Sequence, residues 1–263
     1  PEQISRILKL ANAEKIPVTP VGARTGLSGG MLPVFGGIAL ATSRMNRILE
    51  IDLRNLQATV EPGVITQQLQ TAVEEFGLYY PPDPSSKGSC FIGGNLAESA
   101  GGLHAVKYGI TKDYVLNLEV VLPNGEIIWT GANVLKNSTG YHLTQLMVGS
   151  EGTLGVITKA VLKLIPQPKY KLVVLVPFAD AEAACDAVSA VFRANITPAA
   201  LEFIEKDAID FGQAFLNRYT VDTSGIEAQL LIELDGNYPE ILWKEMEIIA
   251  TVMEEYGGGE LLV

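Results

Sequence analysis

Residues 81–109 read PPDPSSKGSCFIGGNLAESAGGLHAVKYG, and this stretch decides the fold because it combines a rigid proline turn with two Gly-Gly pairs. The pairs lie at 93–94 and 101–102, on either side of a predicted short helix, where the missing side chains leave bare backbone. A flat ring can lie against such backbone, and main-chain N–H groups can hydrogen-bond to its edge. Few packing requirements explain both pairs, so the stretch predicts a ring-binding site, and the isoalloxazine of a flavin is such a ring.

A second glycine-rich segment, residues 20–33 (PVGARTGLSGGMLP), directly follows a predicted strand. Its glycines expose main-chain N–H groups to an anion, while Thr25 and Ser28 add hydroxyl donors and Arg24 adds positive charge. A diphosphate would fit this segment, although taken alone a structural turn explains it equally well. The segment lacks the G-x-G-x-x-G spacing of a Rossmann site, and the chain contains no Gly-Lys pair of a P-loop.

The third such segment, residues 149–158 (GSEGTLGVIT), places Gly155 before an extended apolar strand. It is open to two interpretations. The segment is either a tight connection, or a place where the backbone of Val156 and Ile157 meets the edge of an adenine or a flavin.

Composition excludes several classes of function. The chain has 30 acidic and 19 basic residues and a net charge of −11, so it repels phosphate backbones and is not expected to bind nucleic acid. The apolar stretch 172–179 is far shorter than the roughly 20 residues of a membrane helix, so we expect no membrane span. Cys90 and Cys185 form no C-x-x-C motif, which argues against an iron–sulfur cluster and fits a reducing cytoplasm.

Hydrophobic periodicity predicts an α+β chain in which strands and helices do not strictly alternate. The strongest local signal is a hairpin of residues 114–122 and 126–130, because Asn124-Gly125 accommodates the positive φ angles of a type I′ turn. The sequence begins with Pro1 instead of Met, and we therefore expect a fragment that lacks its first N-terminal elements.

The composition changes to a proline-punctuated linker at Pro166 and Pro168, which we take as a domain boundary. This predicts a first domain, 1–165, which contains the three glycine-rich segments, and the N-terminal part of a second domain, 166–263. Strands and helices beyond the linker follow one another in roughly the order of a ferredoxin-like βαββαβ layer.

Five motifs, in this order and spacing, carry a family resemblance: TGLSGG (25–30), PPDPSS (81–86), IGGN (92–95), AESAGG (97–102) and KYG (107–109). They resemble the FAD-binding domain of the vanillyl-alcohol oxidase and p-cresol methylhydroxylase superfamily. Within it they are most similar to the glycolate oxidase D subunit and D-lactate dehydrogenase group. The resemblance implies an α+β FAD-binding domain of the p-cresol methylhydroxylase type, built of two α+β subdomains and followed by a truncated ferredoxin-like α/β cap domain.

The resemblance also implies the residues that contact FAD. It places the pyrophosphate on the first glycine segment, the flavin against the long central stretch, and further contacts on KYG and the third segment. In chain order these residues are Gly22, Ala23, Arg24, Thr25, Gly26, Leu27, Ser28, Pro82, Asp83, Ser89, Gly93, Gly94, Gly101, Gly102, Tyr108, Gly109, Gly155, Val156 and Ile157.

Histidines matter to this resemblance in two ways. Relatives with covalently attached flavin often carry a histidine in the first segment, and this chain has none there, so we expect noncovalent FAD. The family's metal-binding and proton-accepting histidines belong to an H-x-G-D-G-N-x-H segment that this sequence does not contain, so a divalent metal is implied only through that segment. His104 and His142 remain; a lone histidine is more often structural, and we assign neither a catalytic base nor a metal ligand.

Two positions depart from the family pattern. Arg24 stands where relatives commonly have glycine or asparagine, and His142 stands where they usually have an acidic residue.

The resulting hypothesis is an FAD-dependent dehydrogenase or oxidase that takes a small 2-hydroxyacid, of the glycolate or D-lactate type, to the 2-oxoacid by hydride transfer to flavin N5. A separate electron acceptor is implied, and a homo- or hetero-oligomer is left open. Two alternatives stand beside it: a noncatalytic flavin-binding or assembly subunit of a glycolate oxidase-like complex, and a flavoenzyme of the alkyl-dihydroxyacetonephosphate synthase type.

Overall fold

The computed structural model describes residues 1–219 and 221–262. The chain divides into two compact units, one formed by residues 1–102 and 109–167 and the other by residues 103–108 and 168–263. Residues 103–108 thus cluster with the second unit, although they fall inside the predicted range 1–165. The assignment of domains to 1–165 and 166–263 stays a prediction.

The elements of the first unit begin with a helix whose buried face carries Ile4, Leu8 and Ala11 at helical spacing. In chain order the elements are α1 (Glu2–Ala13), β1 (Val18–Val21), β2 (Ile38–Ala41), β3 (Ile48–Asp52), β4 (Gln57–Val60), α2 (Thr66–Glu74), β5 (Leu78–Tyr79) and α3 (Ile92–Glu98). A four-residue helix of the second unit, α4 (Ala105–Tyr108), interrupts them. The first unit then continues with the 3₁₀ helix Thr111–Tyr114, β6 (Val115–Val121), β7 (Ile127–Trp129), α5 (Leu143–Met147), β8 (Val156–Lys163) and β9 (Ile165–Pro166).

Three sheets organise the first unit. A five-stranded antiparallel sheet has the order β3-β4-β8-β6-β7, while β1 pairs with β2 in parallel and β5 pairs with β9 in antiparallel. β6 is buried along nearly its whole length, and its two polar residues, Asn117 and Glu119, form hydrogen bonds to neighbouring segments. The first glycine-rich segment starts where β1 ends, so its position depends on the β1–β2 pair.

The predicted hairpin is present as β6 and β7, but its turn is not of type I′. Pro123 cannot take the positive φ that a primed turn needs, and the Gly125 N–H donates to the Leu122 carbonyl across 2.8 Å. Of the two residues that were expected to have positive φ, Gly125 has it, at +82°, while Asn124 does not. The turn is therefore a reverse turn with Pro123 at its second position, followed by a left-handed glycine.

The second unit contains β10 (Tyr170–Phe178), α6 (Ala181–Arg193), β11 (Ala200–Glu205), α7 (Lys206–Leu216), β12 (Ala228–Gly236) and α8 (Pro239–Glu255). Its antiparallel sheet has the order β10-β12-β11, and bridges join Leu175 to Leu262 and Phe178 to Gly258 on the free edge of β10. With that edge segment as the fourth strand, the arrangement is the ferredoxin-like order 4-1-3-2, with α7 inserted between the second and third strands. The predicted α+β fold with a ferredoxin-like second domain is confirmed.

The core of the second unit lies on one face of its sheet. Alternate residues of β12, among them Leu230, Ile232 and Leu234, pack with apolar residues of α6 and α8. The intervening residues, Glu233 and Asp235, necessarily point to the opposite face.

Candidate functional site

A groove in the first unit brings the three glycine-bearing segments together. It contains about 1090 Å³ of space, including space that is open to solvent. Ten of the nineteen residues predicted to contact FAD line it: Gly22, Ala23, Arg24, Thr25, Gly26, Gly93, Gly94, Gly155, Val156 and Ile157. Because β1, α3 and β8 each end or begin at its wall, the sheet and helix positions determine its shape.

Bare backbone forms the centre of the groove. A Cβ added to Gly22 would lie 3.8 Å from Cα and N of Gly94, so the two glycines face each other. A Cβ added to Gly94 would meet no atom within 4 Å and would project into open space. Since protein packing does not require glycine at position 94, the fold leaves a space there that suits a ligand approaching the main chain.

Other glycines of the groove are explained by packing. A Cβ on Gly93 would lie 2.7 Å from Cβ of Pro62, and a Cβ on Gly155 would lie 2.8 Å from the Val121 carbonyl oxygen. Neither distance is compatible with a real side chain. These two glycines allow α3 and β8 to approach their neighbours, which in turn sets the width of the groove.

Nine predicted residues do not line the groove: Leu27, Ser28, Pro82, Asp83, Ser89, Gly101, Gly102, Tyr108 and Gly109. Asp83 is buried, and Gly102 packs against its backbone so closely that an added Cβ would lie 2.5 Å from the Asp83 carbonyl oxygen. Gly109 has a φ of +82°, which favours glycine whether or not a ligand is bound. Tyr108 belongs to the second unit, where its hydroxyl donates to Asp235 Oδ2 across 2.8 Å. The predicted FAD contacts of these nine residues stay predictions.

Charged side chains around the groove are few and mostly acidic. Arg24 is the single basic residue among the described residues that line it, and Glu98 and Glu151 also line it. The Glu98 carboxylate lies directly against Gly26, so that a Cβ at Gly26 would overlap it. For an anion, the lining therefore offers main-chain groups, hydroxyl side chains and the cationic side chain of Arg24.

Arg24 has an unusual backbone conformation for its residue type. Its φ is +64°, in the left-handed region that favours glycine and asparagine. This conformation explains why the family pattern has glycine or asparagine at this position. An arginine here adopts it at a cost in backbone strain.

Sequence reasoning did not single out several residues that line the groove, among them Met31, Thr42, Pro62, Phe91 and Asn95. Pro62 lies in a turn far from any glycine motif and could not have been found by motif spacing. Asn95 was within a quoted motif, and its position three residues before Glu98 on a helix was the signal that could have found it.

A cluster of ionisable side chains lies on the second face of the sheet in the second unit. Glu233 Oε1 is 3.0 Å from His104 Nε2 and 2.9 Å from Lys171 Nζ, and Lys107 forms an ion pair with Asp235. Burial opposes the ionisation of Glu233, but hydrogen bonds from His104 and Lys171 outweigh it and lower the pKa of Glu233 to about 2. His104 and Lys107 therefore take part in a network of hydrogen bonds and ion pairs that links residues 104–107 to β12.

Comparison with protein families identifies both parts of the chain. The FAD binding domain family matches residues 1–131, and the C-terminal domain family of FAD linked oxidases matches residues 167–263. The chain belongs to the FAD-linked oxidases. Its sequence is similar to that of a glycolate oxidase subunit and of D-lactate dehydrogenases.

Three curated relatives show the range of this similarity. The chain is 46% identical over 254 residues to a glycolate oxidase subunit of Bacillus subtilis, covering 97% of the chain and 53% of the relative. It is 44% identical over 266 residues to a D-lactate dehydrogenase of Anaerostipes hadrus, covering 100% of the chain and 56% of the relative. A D-2-hydroxyglutarate dehydrogenase of Xanthomonas citri is 37% identical over 209 residues, which cover 80% of the chain and 44% of that protein. The chain thus spans about half the length of the curated relatives it matches.

Solved structures confirm the fold. A crystal structure of alkyldihydroxyacetonephosphate synthase superposes with a TM-score of 0.80 at 21% identity, over 98% of this chain and 49% of that one. A structure of p-cresol methylhydroxylase with substrate bound gives a TM-score of 0.80 at 22% identity, over 99% of this chain and 56% of that one. The predicted p-cresol methylhydroxylase type of fold is confirmed.

Two further properties concern metals and membranes. Across residues 1–219 and 221–262, no three or more His, Cys, Asp or Glu side chains come together in a way that could hold a metal ion. No helix within these ranges is both long and apolar enough to cross a lipid bilayer.

Proposed function

We propose that this FAD-linked oxidoreductase oxidises a small 2-hydroxyacid to the corresponding 2-oxoacid. One observation carries the proposal: the three relatives are named for glycolate, D-lactate and D-2-hydroxyglutarate, and these acids share a hydroxyl group on the carbon next to a carboxylate. The oxidoreductase class and the FAD-binding domain support the same chemistry. The choice among these acids, and the hydride transfer to flavin N5, are part of the proposal.

The residues of the groove fit an FAD dinucleotide. When bound, FAD would supply the acceptor for the hydride removed from the substrate. The segment from Gly22 to Gly26 lines the groove, and it combines main-chain groups that few side chains cover with the positive charge of Arg24, which suits a diphosphate. The open space over Gly94 lets a bulky group lie against the main chain. Together these residues bind and orient the cofactor, which is the protein's share of flavin chemistry.

We infer that the cofactor is held without a covalent bond. The described residues that line the groove include neither histidine nor cysteine, whose side chains are suitable for attachment to a flavin. The nine further residues named by the family resemblance remain proposed FAD contacts. Within the chain we propose no catalytic base.

We propose further that electrons leave to a separate acceptor, and that the protein works with other subunits. The word "subunit" in the name of the Bacillus subtilis relative supports the second point.

Cys90 and Cys185 form no disulfide, which supports a reducing compartment such as the cytoplasm.

The test uses the full-length protein. Its chromophore is released with acid and identified, and the flavin absorbance is then followed anaerobically after addition of glycolate, D-lactate or D-2-hydroxyglutarate. We expect released FAD and bleaching by at least one acid, with turnover once an artificial electron acceptor is present. FAD without bleaching by any 2-hydroxyacid would contradict the proposed oxidation and favour a noncatalytic flavin-carrying subunit, and absence of FAD would reject the assignment of the groove.

A further inference from the structure

Asn95 lies on the wall of the groove beside Gly94, yet its side chain was not assigned any role by the motifs. It is 4% exposed, and α3 places it three residues before Glu98, which lines the same groove. Residues three apart on a helix share one face. Both residues line the groove, and Glu98 reaches Gly26 there.

A short hydrogen-bonded chain orients the Asn95 amide. Its Nδ2 donates to Thr66 Oγ1 across 2.6 Å, and Thr66 Oγ1 lies 3.2 Å from Cys90 Sγ. Thr66 has one hydroxyl proton, so it accepts from Asn95 while its own proton is available to the sulfur. This arrangement determines which end of the amide faces Thr66 and leaves the carbonyl oxygen as the other end.

The Asn95 carbonyl oxygen accepts no hydrogen bond from the residues that the structure describes. Among the described residues, three side-chain atoms are fully buried and have no hydrogen-bond partner. They are the Tyr80 hydroxyl, the Ser99 hydroxyl and the Gln229 amide nitrogen. The Asn95 oxygen is not among them, so it retains an open side, and the groove is the space that this residue lines. Glu98 likewise has no hydrogen bond or ion pair within the described residues. A ligand that displaces water from this part of the groove must donate hydrogen bonds to these acceptors, since an acceptor left without a donor would be costly.

We propose that Asn95, together with Glu98, binds the sugar hydroxyl groups of the cofactor. Both side chains offer acceptor oxygens, whereas a diphosphate itself has no proton to donate at neutral pH. The hydroxyls of a ribityl chain or a ribose, which flank the diphosphate of FAD on its two sides, are complementary to these acceptors. A carboxylate against Gly26 also repels additional phosphate, so the pair favours hydroxyl-bearing over phosphorylated sugars. This inference rests on the proposed function only in requiring that the groove binds FAD.

The main variant is Asn95→Ala, compared with the wild type in titrations of the apoprotein with FAD, FMN and ADP. We expect about 10-fold weaker binding of FAD, the loss of one hydrogen bond whose partner is left buried. A ribityl contact predicts the same loss for FMN and none for ADP, and a ribose contact predicts the reverse. Asn95→Asp keeps an acceptor oxygen that the Thr66 hydroxyl can orient, and we expect it to recover most of the FAD affinity lost in the alanine variant.

The matched control is Asn117→Ala. Asn117 is also a buried asparagine of the first unit, but its amide is fully used, accepting from the N–H groups of Leu118 and Gly131 and donating to Asn133 Oδ1. This change should lower the thermal stability of the apoprotein without altering FAD affinity. Unchanged FAD binding in Asn95→Ala, or equal weakening by both alanine variants, would overturn the proposal. A wild type that binds no FAD would instead refute the assignment of the groove itself.

Discussion

Replacement of Gly94 by alanine separates stability from cofactor binding, because the two are expected to change in opposite directions. An added Cβ meets no atom of residues 1–219 and 221–262 within 4 Å, so the fold accommodates it without a clash. Alanine in place of glycine in a helix gains up to about 1 kcal/mol through backbone entropy, or a rise of about 2–4 °C in Tm for a chain of this size. The same methyl group occupies space over the bare main chain. If crowding the ligand costs about 1–3 kcal/mol, as overpacking does in cores, FAD binding weakens about 5- to 140-fold.

The assay measures thermal unfolding of the apoprotein and, separately, FAD affinity by quenching of flavin fluorescence. Gly212→Ala is the control, because Gly212 is also helical with no atom within 4 Å of an added Cβ but lies in α7, outside the groove. It should raise Tm to a similar extent and leave FAD affinity unchanged. A Gly94→Ala protein that binds FAD as tightly as the wild type would show that no ligand approaches this backbone. A Gly94→Ala apoprotein with a lower Tm than the wild-type apoprotein would show that the space over Gly94 is not open.

Three further predictions concern charge. The folded-state pKa of Glu233 is depressed to about 2 from 4.5, so its stabilisation is present above pH 4.5 and lost as pH falls toward 2. Glu233→Gln should therefore reduce the free energy of unfolding by at most about 3 kcal/mol at pH 7, and urea denaturation should show this difference vanishing near pH 2. Arg24→Gly should relieve about 1 kcal/mol of left-handed strain in urea denaturation while weakening FAD binding through the lost positive charge, and tighter FAD binding would contradict this role. Because the chain carries a net charge of −11, wild-type FAD affinity should rise between 20 and 300 mM salt as repulsion is screened, and a fall would indicate a cationic site instead.

The sequence located the glycine segments but could not say what each glycine is for. Gly93 and Gly94 are adjacent and identical in any pattern, yet Pro62 requires the first to lack a side chain, and no residue that the structure describes requires this of the second. The difference arises because the turn that contains Pro62, about thirty residues earlier, packs against α3. That packing is a tertiary contact. Local propensity contains no information about it.

A similar limit explains the residues that sequence reasoning missed or interpreted incompletely. The hairpin was predictable from its Asn-Gly dipeptide, but the preceding Pro123 changed the turn type. Tyr108 follows the flavin motif in sequence, whereas its hydroxyl is engaged by Asp235, 127 residues later. Asn95 was within a quoted motif, but its open carbonyl becomes visible only once Thr66 is seen to hold the other end of the amide.

The distribution of donors and acceptors in the groove suggests how an acidic protein holds an acidic cofactor. Main-chain N–H groups carry no net charge and do not titrate, so a diphosphate bound to them remains bound across the range in which carboxylates ionise. When the backbone binds the diphosphate, acidic side chains such as Glu98 do not conflict with binding. They can then accept hydrogen bonds from hydroxyl groups. A groove built on lysines would bind phosphate more strongly but would not distinguish a sugar hydroxyl from a second phosphate. The net negative charge of the chain is thus compatible with the proposed site, and the acidic side chains favour a sugar hydroxyl over a second phosphate.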